Sequence, residues 1–196
     1  MGPDRRCSKA KCKAAKQPLS LAHALSCNSL RARFRRHNAI LDDIMCWLRA
    51  RRITVSKEVS GLTAGGNDRV DLLVRCEGTV FWGDVSLAEP GSPSYVANSS
   101  KKEGWAAEKM EAVKFSKWKQ LVPKGSFVKV QPLVLETTGR LGVELQDFLK
   151  TMEEASRGAT IMERHTRDIL VEQMSVTCVK YNVECVNEAM NGDSEA

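Results

Sequence analysis

Two aspartates thirteen positions apart, Asp71 and Asp84, are the residues of this sequence best placed to do chemistry. They lie in a segment, Val70 to Leu87, with the pattern of a β-hairpin: VDLLVRC, a turn at Glu77-Gly78, then TVFWGDVSL. If the turn holds just those two residues, Cys76 faces Thr79. Asp71 then faces Asp84 as a direct cross-strand pair, with Cβ atoms about 4.5–5.5 Å apart. Like charges that close are destabilising unless a cation or a proton relieves them. A hard divalent cation such as Mg2+ takes carboxylate oxygens in this way. The competing reading is two solvent-facing residues of a half-buried sheet, and one extra turn residue would undo the pairing. Alternation puts Trp82, Asp84 and Ser86 on one face of the second strand, with Phe81, Gly83, Val85 and Leu87 on the other.

Other elements must hold this hairpin. From Ser29 to about Arg51, the apolar stripe Leu30, Phe34, His37, Leu41, Ile44 and Leu48 predicts an amphipathic helix. Ile53-Thr54-Val55 opens a short strand, and Gly61 to Asn67 reads as a loop. Glu89 to Pro93 breaks the chain. A second helix is expected over 101–121, with Trp105, Met110, Val113, Trp118 and Leu121 as its apolar positions. A strand is expected from Phe127 to Glu136, helices over 141–155 and 161–190, and fraying in the last six residues. The order predicts an α/β fold: a mixed sheet flanked by helices, with extra C-terminal helices. The division read from the sequence is a basic arm over 1–28, a core over 29–156, and a helical extension with a frayed tail over 157–196.

Charge is unevenly spread. The net value is +6, but residues 1–57 carry 14 Lys/Arg against 3 Asp/Glu, whereas residues 58–196 carry 16 against 21. A basic front third suits a polyanionic partner through phosphate contacts. For residues 1–18 alone, a flexible solvated arm is the simpler expectation. Arg31, Arg33, Arg35 and Arg36 are different, because they sit inside a periodic segment. No apolar run approaches the roughly 20 residues of a spanning helix, and the N-terminus lacks a signal-peptide core. Seven scattered cysteines favour a reducing compartment, nuclear or otherwise intracellular, over a disulfide scaffold. Phosphate-binding glycine loops, Gly-x-Ser-x-Gly elbows and His-Glu-x-x-His helices are all missing from the sequence.

An ordered set of short motifs resembles a known family. Arg36-His37-Asn38, then Arg69-Val70-Asp71, then Asp84, then Lys114-Phe115-Ser116-Lys117-Trp118 is similar to the restriction-like, PD-(D/E)XK endonuclease domain of site-specific non-LTR retrotransposons. Val130-Gln131-Pro132-Leu133-Val134 and Thr138-Gly139 look like that domain's next strand and glycine turn. The resemblance covers roughly residues 20–190 and lies in the combination, each motif alone being weak. It implies a restriction-endonuclease-like sheet with Asp71 and Asp84 as ligands of Mg2+ or Mn2+. Ser86 stands where many such nucleases carry lysine, and the resemblance assigns that role to Lys114, with Lys117 second, on the following helix.

The same resemblance makes His37 and Asn38 part of an active-site or DNA-contacting motif and gives Arg36 a phosphate contact. From spacing alone, His37 reads as a core-facing imidazole. Glu58 is either an auxiliary metal ligand or an ordinary surface glutamate. Val70 and Trp118 depart from the family's proline and tyrosine, and the latter removes a hydroxyl. Upstream, Cys7, Cys12, His23 and Cys27 supply the donors of a Cys3His zinc site. Leu21 to Cys27 looks like the second half of the family's zinc knuckle, although the spacing before it is wide.

The implied activity is Mg2+-dependent nicking of DNA, with RNA and a separate reverse-transcriptase region as further partners, no membrane and no oligomeric state specified. The alternatives are a catalytically decayed DNA- or RNA-binding module, and an interaction protein using Ile169, Leu170, Met174, Val176 and Val179 as a docking stripe, which is more often core.

Overall fold

A computed structural model describes residues 6–16, 18–63, 68–156 and 166–191. Three helices open the chain: α1 (Ala10–Ala14), α2 (Leu21–Ser26) and α3 (Arg31–Ala50). Then come β1 (Thr54–Ser60), β2 (Arg69–Cys76), β3 (Thr79–Ala88), α4 (Val96–Ser99), α5 (Trp105–Lys119) and β4 (Val128–Glu136), and the chain ends with α6 (Val143–Ala155) and α7 (Arg167–Asn191). Residues 161–165 of the expected last helix, residues 192–196 of the expected frayed tail and residues 64–67 of the expected loop lie outside the described residues.

The four strands form one sheet in the order β1-β2-β3-β4, antiparallel for the first two pairings and parallel between β3 and β4. This is the mixed α/β architecture expected from the element order. The hairpin register is pinned by its turn. Glu77 (φ 47°) and Gly78 (φ 75°) are both left-handed, the twist that a two-residue hairpin loop requires. Cys76 pairs with Thr79, and the ladder runs back to Leu72 opposite Gly83.

Side chains alternate across the sheet. Leu72, Val74, Phe81, Val85, Leu133 and Leu135 bury one face beneath α3, α6 and α7. On the other face Leu73 and Trp82 meet Trp118 of α5, and Val134 and Ala88 meet Ala106 and Ala107. With helices on both sides, β3 is buried on both faces, so the central strands read as apolar runs.

Three expectations are corrected. The inward face of α3 is Ala32, Arg36, Ile40, Leu41, Ile44, Trp47 and Leu48, whereas Phe34 is 62% exposed. Two residues of the expected stripe thus turn off the core: Phe34 to solvent and His37 toward the sheet end. The second helix, expected over 101–121, is shortened to α5 (Trp105–Lys119), and its Val113 is 53% exposed while Glu111 is buried. The N-terminal segment is no free arm. Arg6 and Pro18 form an antiparallel bridge, Cys7 is fully buried, and the Ser8 N–H donates to the Ala189 carbonyl of α7 at 2.8 Å.

Candidate functional site

The β2–β3 ladder stops one step short of the two aspartates. Beyond Leu72 and Gly83 the strands part, and the backbone N–H of Val85 donates to Asp71 Oδ2 at 2.8 Å. On the other side of β2, pairing with β1 runs to Lys57 opposite Leu72 and resumes at Val59 opposite Val70. That register sets Glu58 against Asp71. Glu58 has φ 53°, a left-handed backbone that non-glycine residues seldom adopt and that interrupts the ladder beside Asp71. Strict alternation would place Val70 with Leu72 and Val74, yet it packs with Val59 on the α5 side. The sheet is therefore irregular where its acidic residues sit.

The irregular end forms one wall of a cleft of about 520 Å³. Asp71, Asp84, Glu58 and Ser86 line it from the strands, His37, Asn38 and Arg33 from α3, and Lys114, Lys117 and Trp118 from α5. Residues expected to act together from positions 33 to 118 thus share one cavity. Each aspartate has its own basic partner. Lys114 Nζ donates to Asp84 Oδ1 at 2.8 Å and to Oδ2 at 3.1 Å, and the Trp118 indole N–H donates to Oδ2. His37 Nε2 lies 3.2 Å from Asp71 Oδ2, and its Nδ1 lies 3.2 Å from Asn38 Oδ1.

The electrostatics follow from these contacts. Burial works against a charged His37, but the hydrogen bond and negative charge of Asp71 outweigh it and raise the imidazole above its ordinary value. Burial likewise opposes ionisation of Asp71. The His37 contact, the Val85 N–H and the charge of Lys114 overcome it and hold the carboxyl below the usual range. The two carboxylates, expected to repel each other as a cross-strand pair, are instead each held by a different basic side chain, Asp71 by His37 and Asp84 by Lys114.

Trp118, which lacks the hydroxyl of the family's tyrosine, offers its indole N–H to Asp84 instead. Its position four residues after Lys114 puts both on one helix face, and that spacing was the available signal that its N–H reaches the same carboxylate. Glu58 is 40% exposed, with Arg69 Nη1 3.5 Å away. Lys117 sits 4.3 Å from the ring centre of Trp118.

The expected arginine contacts divide. Arg33 faces the cleft, Arg31 and Arg35 are exposed, and Arg35 pairs with Glu184 at 3.0 Å. Arg36, expected at a phosphate, is instead 1% exposed. Its guanidinium donates to the Leu25 carbonyl at 2.8 Å and to Asn182 Oδ1, so it ties α2 and α7 to α3 from inside.

A second cluster lies at the N-terminus. Cys7, Cys12, His23 and Cys27 bring their ligand atoms within 4.8 Å of one another. The Arg6–Pro18 bridge closes the loop carrying Cys7 and Cys12, and Ser20 caps α2 by accepting the His23 N–H at 3.0 Å. Folding back in this way accommodates the wide spacing between Cys12 and His23. Cys12 and Cys27 have their sulfurs 3.5 Å apart, and His23 Nε2 is buried with no protein hydrogen-bond partner. Burial and the two neighbouring thiols push Cys12 up to about 12, which is how crowded thiols behave without a cation. Three sulfurs and an orphaned imidazole nitrogen fit a tetrahedral metal ion, zinc being the usual occupant of such a set. The described cysteines are all free thiols. Among the described residues, no helix is long and apolar enough to cross a membrane.

Neither a protein-family model nor a curated protein matches the chain.

Proposed function

We propose that the protein is a metal-dependent DNA endonuclease of the restriction-like kind borne by non-LTR retrotransposons, acting inside the cell beside a reverse-transcriptase region. The observation that carries this reading is the meeting of Asp71, Asp84 and Lys114 in one cleft at the parted end of a hairpin. The mixed four-stranded sheet with helices on both faces is compatible with a restriction-type core.

Asp71 and Asp84, with Glu58 opposite Asp71, are the residues that would hold Mg2+ or Mn2+. When bound, such an ion polarises a phosphodiester and lowers the pKa of bound water. The protein's own groups do the rest. Lys114, already within reach of both Asp84 oxygens, neutralises negative charge building on the phosphate in the transition state. His37 orients Asp71, and Trp118 fixes Asp84. Lys117, Arg33 and Arg69 contact flanking phosphates, which position the strand without reading its sequence. Zinc in the Cys7, Cys12, His23 and Cys27 set would be structural, since four protein donors close its coordination.

A second reading, a binding module that has lost catalysis, is favoured by one observation. Asp84 is already satisfied by Lys114 and Trp118 without any metal. Nicking of supercoiled plasmid separates the two. Wild-type protein should nick with Mg2+ and not with EDTA, while Asp71→Asn and Asp84→Asn should retain DNA yet lose at least about a hundredfold in rate. Cleavage that survives both substitutions would remove the assignment. Salt-sensitive binding with no nicking in Mg2+ or Mn2+ would establish the binding module instead.

A further inference from the structure

The cleft has a feature that phosphodiester hydrolysis does not require. Its floor is charged, but apolar side chains also line it: Phe34 from α3, Met110 from α5 and Leu87 from β3. Phe34 is the most exposed of these, at 62%. Single exposed apolar residues are common on protein surfaces. Phe34 differs in its surroundings. It is one helical turn before His37 and Asn38, so all three share a helix face. Arg33, Arg69 and Lys117 line the same cavity. Among the described residues, no aromatic ring or cation stacks on the Phe34 ring.

A free aromatic face beside cations and paired carboxylates suits a ligand with a flat apolar surface next to a phosphate. A nucleotide has both. In a fully paired duplex the base faces are covered by their neighbours, and only edges and backbone are presented. A ring on a helix can reach a base face only where the base has left the stack.

We propose that Phe34 is a stacking platform for an unpaired base beside the phosphate held in the cleft, so that the preferred substrate is DNA with a locally opened strand. This inference rests on the DNA-cleaving reading and names the form of DNA that the same site takes. Arg33 and Arg69 hold the phosphates on either side of the stacked base. Met110 and Leu87 form the apolar remainder of the slot.

The test compares two labelled DNAs of equal length, one fully paired and one with a central unpaired bubble. Binding is measured by fluorescence anisotropy on full-length protein carrying Asp84→Asn, so that neither DNA is consumed. Phe34→Ala should weaken bubble binding about tenfold, the effect of losing one base–aromatic stack, and leave duplex binding nearly unchanged. Phe34→Trp should restore bubble binding, and bubble DNA should quench its added fluorescence. Phe34 is exposed, so both variants should unfold at the parental temperature.

Equal losses on both DNAs, or no loss on either, would overturn the proposal. The two readings fail separately. Bubble preference that depends on Phe34 in a protein whose wild type never nicks would keep the stacking site and remove the nuclease. Nicking by wild type with a bubble preference indifferent to Phe34 would remove the stacking site alone.

Discussion

Glu188 caps a helix that begins 157 positions earlier: its Oε2 accepts the backbone N–H of Ala32 at 2.8 Å, and its Oε1 accepts that of Arg31 at 2.9 Å. The residue preceding α3, Leu30, has no side chain to do this, and the unpaired N–H groups of a helix start need an acceptor when buried. Lys9 Nζ lies 2.6 Å from the same carboxylate. One side chain thus joins the N-terminal cluster, α7 and the helix that carries His37. Glu188→Gln keeps the shape but leaves one acceptor where there were two. It should cost roughly 1–3 kcal/mol, the usual penalty for a buried donor left unpaired, read as a lower urea midpoint. An unchanged midpoint would mean that water serves these N–H groups equally well.

Removal of zinc should be felt well beyond the four ligands. Cys7 and Cys27 pack in one buried cluster with Leu30, Ala32, Cys185 and Ala189, so the cluster is continuous with the start of α3 and the end of α7. The expected content is one zinc per chain, measured by metal analysis, and Cys12→Ser should lower it. A zinc-selective chelator should lower Tm by at least about 5 °C, given that each kcal/mol moves a chain of this size by a few degrees. Amide exchange should accelerate over 20–32 while β3 stays protected. A Tm insensitive to the chelator would sink the structural role.

Trp118→Phe isolates the indole N–H. The substitution keeps an aromatic ring in the edge-to-face contact with Trp82, where the centroids are 6.2 Å apart at 80°. It removes one of the donors on Asp84, a carboxylate only 6% exposed. The expected result is a loss of about 1–2 kcal/mol in stability and a roughly tenfold slower nicking rate, since Asp84 would be less firmly aimed. An unaltered rate at the same stability cost would restrict Trp118 to packing.

What the sequence made legible was local geometry. Cys76 and Thr79 flank a two-residue turn, and that alone fixed which residues face each other back to Leu72 and Gly83; the expected pairing of Asp71 with Asp84, one step further, is absent because the strands part there. Lys114 followed from a motif. The errors came where distant partners decide. Apolar spacing along α3 allowed either of two neighbouring faces, and nothing local revealed that Arg36, held by Leu25 and by Asn182 of α7, takes the inner one. With Arg36 turned in, Phe34 is turned out and His37 meets Asp71. The donor set Cys7, Cys12, His23 and Cys27 was legible from residue types and does come together, whereas the Arg6–Pro18 bridge beside it is announced by no periodicity.

Glu111 gives the fold a pH dependence with a definite sign. It is buried on α5, accepts the Glu144 N–H at 3.0 Å, and packs so close to Gly142 that a Cβ there would force its carboxyl to move. Burial is the main reason its carboxyl is raised from 4.5 to about 7, helped by the charges of Glu144, Glu108 and Asp147 and opposed by the Glu144 N–H. The folded state therefore holds a proton that the unfolded chain gives up more readily. This group costs nothing below the unfolded value, where both states are protonated. Its penalty grows as pH rises from about 4.5 to 7 and levels off above, at no more than on the order of 3 kcal/mol. Glu111→Gln keeps an oxygen for the Glu144 N–H and cannot ionise. It should match wild type in urea denaturation near pH 4 and exceed it near pH 8. A variant whose advantage is the same at both pH values would show that Glu111 takes up its proton over the same pH range in the folded and unfolded states, so that burial does not raise it.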